Sequence, residues 1–120
     1  MKPVIKQIIS SDIDDLAAYK PESADNFEVA ISIDIGLEGK EGADIFQVSV
    51  VTPKWIVNVL KKERVFVPRF NLIVSTYDYD SIIKKLDEIC KQCSGKDWDE
   101  CSLRLSKYFM WEYEDYKENL

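Results

Sequence analysis

Histidine is absent from this 120-residue chain. Its absence removes the commonest general base, the commonest metal ligand and every Ser-His or Cys-His nucleophile arrangement. Cysteine is scarce, with three residues at Cys90, Cys93 and Cys101. An odd count without an export signal points to reduced thiols rather than a disulfide framework. Cys90 and Cys93 form a Cys-x-x-Cys, but no second pair and no His completes a four-ligand zinc site. A redox pair would sit at a helix N-terminus, whereas this one falls near a helix end, so the thiols are expected to be small buried hydrophobes. No apolar run approaches the roughly 20 residues that span a bilayer. Met1–Ile9 alternates polar and apolar residues and lacks a signal-peptide core and cleavage site. The expectation is a soluble, cytosolic protein with no membrane partner. Bases are the minority, 16 against 22 acids, for a net charge of −6. That balance argues against direct contact with a nucleic-acid backbone, which needs clustered Lys and Arg.

What is present is a foldable chain, 46% hydrophobic and 12% aromatic, long enough for one domain over residues 1–120 and too short for two. Its charge is unevenly spread. Asp12–Glu28 carries six acids and one Lys, Lys54–Arg69 five bases and one acid, and Trp111–Glu118 four acids and one Lys. Acidic ends flanking a basic middle are suited to steering a basic partner into contact, although net charge also serves solubility.

Hydrophobic period sets the expected elements. Residues 2–9 read as a strand. Phe27, Val29, Ile31, Ile33 and Ile35 alternate on one face of a second, and Gly36, Gly39 and Gly42 punctuate a turn into a returning strand from Ala43 to Val51. Thr52-Pro53 opens a helix, with Thr as N-cap and Pro in the first turn. Its apolar positions are Trp55, Ile56, Val59 and Leu60, and it ends at Lys61-Lys62. Val65–Ser75 is an extended run broken at Pro68, the mark of a bulge or sheet edge. Asp78 opens a second helix to Gln92 along Ile82, Ile83, Leu86, Ile89, Cys90 and Cys93, stopped by Gly95. Asp97 and Glu100 have capping-box spacing for a third helix, which buries Trp98, Cys101, Leu105 and Tyr108. The order predicts an α+β domain, a mainly antiparallel sheet of about four to five strands packed against two to three helices.

Candidate sites are few. Asp12, Asp14 and Asp15 could group around a hard cation, but the Gly and distal Glu of a calcium loop are missing, so a solvated loop is favoured. Asp78 and Asp80 resemble a hydrolytic carboxylate pair, yet both fall at a helix start, where acids offset the dipole. The glycines do not follow a phosphate-binding spacing, and Trp55, Trp98 and Trp111 are expected to anchor the core. No cofactor and no catalytic group are expected. The segment Phe109–Tyr116 interleaves aromatics with carboxylates. As a strand it turns Phe109, Trp111 and Tyr113 inward and Glu112, Glu114 and Tyr116 outward. Two readings stand at this point: a C-terminal edge strand made soluble by acids, and a contact surface.

Ser11–Leu16, Thr52–Trp55, Tyr77–Ile82, the Cys90–Trp98 stretch and Trp111–Tyr116, in that order along the chain, together resemble the immunity protein 8 family of bacterial polymorphic-toxin and contact-dependent competition systems. The resemblance implies an antitoxin that binds a cognate C-terminal toxin domain, possesses no catalytic residues and leaves the toxin's chemistry open. A nuclease toxin has a basic active site, which carboxylates can occupy while aromatics supply desolvated anchors. The expected partner-binding residues are accordingly Asp12, Asp14, Asp15, Glu22, Asp25, Glu112, Glu114, Asp115 and Tyr116, on a monomer or homodimer. Because Trp-Glu-Tyr-Glu-Asp-Tyr is then a signature of the fold, Trp111 and Tyr113 are assigned to packing. The competing readings are a small enzyme using Asp12, Asp14 and a metal, and a module that self-associates through its last strand.

Overall fold

The computed structural model of the chain describes residues 1–113. Their order is β1 (Pro3–Ile9), β2 (Glu28–Leu37), β3 (Asp44–Val51), α1 (Pro53–Glu63), β4 (Asn71–Ile73), α2 (Tyr79–Gln92), α3 (Trp98–Leu105) and β5 (Met110–Trp111). The five strands form one sheet in the order β1-β2-β3-β4, and β5 also pairs with β3. β1, β2 and β3 run antiparallel, as does β5 against β3. β4 alone is parallel, Val50 lying opposite Leu72, and α1 supplies the crossover that parallel pairing requires. This is the expected α+β arrangement.

Alternation decides which face is covered. Val29, Ile31, Ile33 and Ile35 of β2 and Phe46, Val48 and Val50 of β3 join Ile82, Leu86, Cys90 and Cys93 of the α2 region and Leu105 of α3 in one buried cluster. Each fully buried Ile or Phe contributes about 1.5–3 kcal/mol. Leu16, from the acidic segment, belongs to the same cluster.

Local signals explain the ends. Thr52 is fully buried, and its hydroxyl accepts from the N–H of Trp55 at 3.3 Å and of Phe27 at 3.2 Å. It therefore caps α1 and ties the entry of β2 to the exit of β3. Asp97 caps α3 by accepting from Glu100 N–H at 2.9 Å. Asp78 holds the N-cap position of α2 but its carboxylate caps no backbone N–H and accepts instead from Ser81 Oγ at 2.7 Å.

Several expectations are corrected. Gly36 is a buried residue of β2 rather than part of the turn, and a Cβ there would lie 2.2 Å from Gly42 O. α2 ends at Gln92 as expected, but its C-cap is Cys93, and Gly95 N–H donates to Met1 O at 3.1 Å. Of the extended run Val65–Ser75 only Asn71–Ile73 is strand, because the chain is still returning from α1 until Phe70. Trp55 does not reach the core; it packs edge-on against Phe66 at 6.1 Å. Tyr108 and Tyr113 are exposed, Tyr113 resting its ring against Trp111 at 5.7 Å. Phe109 and Trp111 are buried as expected.

All three thiols are buried and unpaired with one another. Burial, then the negative charge of Asp87 and the neighbouring Cys93, push the Cys90 thiol up to about 12 from 9.0. Burial likewise raises the Tyr77 phenol from 10.0 to about 12, while its O–H donates to Leu16 O at 2.6 Å. Both groups must be protonated in the folded chain and ionise more readily once unfolded. Their contribution to stability is therefore intact below about pH 9 and lost as pH rises towards about 12. Urea midpoints measured from pH 7 to pH 11 should fall above pH 9, and a flat profile would refute the assignment. At pH 8, thiol alkylation should wait for unfolding.

Candidate functional site on the uncovered sheet face

Cross-strand partners share a face, so the register lists what the second face of the sheet shows. Ile9 lies opposite Ser32, Ala30 opposite Ser49, Ser32 opposite Gln47, Asp34 opposite Ile45, and Gln47 opposite Met110. These residues are exposed or half-buried. Small and polar side chains there leave a shallow groove.

The chain returning from α1 closes one side of this groove. Arg69 and Phe70 sit over Ala30, Ser32, Gln47 and Ser49, with Met110 and Ser11, around a hollow of about 270 Å³. A second hollow of about 490 Å³ shares Gln47, Arg69, Phe70 and Met110 and extends to Ile45, Trp111 and Glu112. Phe70 has φ 59°, a left-handed conformation that costs a bulky L-residue about 1–2 kcal/mol. It is held there by Ser49 N–H, which donates to Phe70 O at 3.0 Å. The Arg69 guanidinium lies 4.6 Å from the ring centroid, a cation–π contact. Next to it the buried Oδ1 of Asn71 has no hydrogen-bond partner among the described residues. Strained aromatics and unsatisfied buried polar atoms of this kind concentrate at functional sites.

Of the expected acids only Glu112 lines these hollows. Asp12, Asp14 and Asp15 lead from Ser11 into a turn at residues 16–18, all three exposed. Asp15 is committed to that turn, accepting from Ala17 N–H at 3.1 Å and Ala18 N–H at 3.2 Å. The turn is pinned to the body by Leu16 and by Tyr77, which meets Tyr19 and Phe27 edge-on at 5.1 Å and 5.9 Å. Glu22 is exposed further along, and Asp25 pairs with Lys54 of α1 at 3.3 Å. Glu112 lines the larger hollow. It is exposed, and its Oε1 accepts from Ile45 N–H at 2.9 Å and so extends the β5–β3 pairing. Glu114, Asp115 and Tyr116 lie outside the described residues.

Sequence reasoning missed Arg69, Phe70 and Met110. The break at Pro68 was the available signal, since it takes Phe70 out of the strand pattern. Hydroxyls, an amide, one guanidinium and apolar side chains line the groove, a set suited to binding. Among the described residues no group of three or more His, Cys, Asp or Glu side chains could hold a metal ion, and no helix is long and apolar enough to cross a membrane.

A family model described as Immunity protein 8 matches residues 3–116. No curated protein and no solved structure matches the chain.

Proposed function

We propose a toxin-neutralising complex from one premise: this chain belongs to the immunity protein 8 family. The family implies a toxin as partner. In our reading the cognate toxin domain docks on the uncovered sheet face. Phe70 and Met110 form the apolar centre, and Arg69, Gln47 and Ser49 the polar floor. Arg, Phe and Met are residue types enriched at interface centres. Asp12, Asp14 and Asp15 supply acidic charge from one segment and Glu112 from another. The observation that carries the reading is Phe70, strained and half-buried beside Arg69 and Met110 on the uncovered sheet face.

Acidic charge favours a basic toxin surface, and a nuclease, which must hold phosphates, has one. Carboxylates at those positions occupy the sites that phosphates would take. The toxin is bound and blocked, with no reaction on the immunity protein.

Steering by these charges acts on association more than dissociation. Stopped-flow binding to the cognate toxin domain should slow at least about tenfold between about 50 mM and about 500 mM salt, because exposed charges are screened over a few ångströms at high salt. The triple variant Asp12→Asn/Asp14→Asn/Asp15→Asn should associate slowly at low salt and lose most of the salt dependence. Association that ignores salt in the parent would remove these acids from the mechanism. Co-expression tests the whole reading: the parent chain should rescue cells from the toxin.

A further inference from the structure

α1 is built as a packing helix but, among the described residues, is the one helix with no fully buried side chain. None of its residues joins the core cluster. Val57 and Leu60 are 51% and 40% exposed, and their i, i+3 spacing puts them on one stripe. The return loop exposes two more apolar side chains, Val65 and Val67, at 79% and 75%. Exposed apolar side chains gathered on one helix stripe mark an interaction surface.

The charges at the two ends of α1 differ in sign. Its first turn holds no acid of its own, yet Asp25 of the acidic segment is docked there through Lys54 at 3.3 Å. Its last turn carries Lys61 and Lys62, followed by Arg64. We propose that α1 is a two-fold dimerisation surface, packed antiparallel against α1 of a second copy.

A two-fold axis through the middle of the helix makes these features self-complementary. Val57 and Leu60 meet their own copies at the centre. Lys61 and Arg64 of one protomer reach the Asp25 end of the partner's helix, and the helix dipoles oppose one another favourably. Charge complementarity selects a second copy as occupant. With a net charge of −6, two copies repel over most of their surface. The basic stretch Lys54–Arg64 is where they can approach, and Asp25, held at the start of α1 by Lys54, is its complement. A single helix pair buries little area, so the dimer should be weak and transient. The surface differs from the groove, and the proposal does not depend on the toxin reading.

Sedimentation velocity of the full chain, from about 10 µM to about 1 mM, should show a concentration-dependent dimer that weakens with salt. Val57→Glu and Leu60→Glu replace exposed side chains, so circular dichroism should remain that of the parent while association falls tenfold or more. Lys61→Glu and Asp25→Lys should each weaken the dimer, and the two combined should recover much of it. Recovery on charge exchange is a result that a merely structural role for either residue does not produce. A monomer at every concentration overturns the proposal, as does a dimer unmoved by Val57→Glu and Leu60→Glu. A monomer that instead binds vesicles of acidic phospholipid overturns it in favour of a membrane occupant. Failure of the charge exchange to recover the dimer overturns the antiparallel arrangement.

Discussion

Replacing Phe70 with glycine is expected to lower affinity for the cognate toxin about a hundredfold while leaving stability within about 1 kcal/mol of the parent. The two effects separate because Phe70 is strained. At φ 59° the backbone is in a region glycine occupies freely, so the substitution relieves about 1–2 kcal/mol. Losing a half-buried ring and gaining unfolded-chain entropy cost a similar amount. Affinity has no such compensation, since an aromatic anchor at an interface centre is worth about 2–4 kcal/mol on truncation. Alanine gives the sharper comparison. It also removes the ring but keeps a Cβ at positive φ, so Phe70→Ala should melt below Phe70→Gly, the reverse of the usual order. Titration calorimetry and thermal unfolding of the three chains decide both points. Affinity within threefold of the parent would take the toxin off this face. Alanine melting above glycine would show that the backbone angle is not the relevant cost.

Much of the fold can be read from residue order because it is set locally. Alternation from Phe27 to Ile35 identifies the buried face of β2, and Thr52-Pro53 and Asp97 mark helix starts through side-chain acceptors that the structure shows in use. The cysteines were legible for the same reason, since Cys90 and Cys93 follow the apolar stripe of α2. What could not be read depends on where distant segments meet. The pairing of β4 with β3 rests on three residues and on the path of α1. The periodicity of α1 reveals an apolar stripe and is silent on what that stripe meets; here it meets neither the core cluster nor another helix of the described chain closely enough to bury a residue. The acids illustrate the limit at the site. Charge density pointed to Asp12, Asp14 and Asp15, but Asp25 and Glu112 turn out to hold Lys54 and Ile45 N–H. The groove is closed by Arg69, Phe70 and Met110, whose types and spacing carry no motif.

Asp44→Ala is expected to destabilise the chain by about 2–3 kcal/mol. One carboxylate oxygen of Asp44 accepts from Trp98 Nε1 at 2.9 Å and from Trp111 Nε1 at 3.0 Å. Those indoles come from α3 and β5, more than 50 residues downstream. Between them lies Phe46, stacked on Trp111 at 6.2 Å and edge-on to Trp98 at 6.4 Å and to Phe109 at 6.3 Å. Removing the acceptor leaves the N–H of buried Trp111 without its bond, at about 1–3 kcal/mol, whereas half-buried Trp98 can turn to water and loses less. At this chain length the melting temperature should fall by about 10 °C. Asp44→Asn keeps an acceptor oxygen without its charge and should lose only about 1 kcal/mol. A double-mutant cycle of Asp44→Ala with Trp111→Phe should show coupling of at least about 1 kcal/mol, since both changes remove the same bond. The clamp also matters to the groove. β5 carries Met110 and leads into Glu112, so Asp44→Ala should weaken toxin binding without touching the contact surface. Asp44→Ala costing under about 0.5 kcal/mol, the level of an ordinary surface change, would mean that the aromatic stack alone holds β5 against β3.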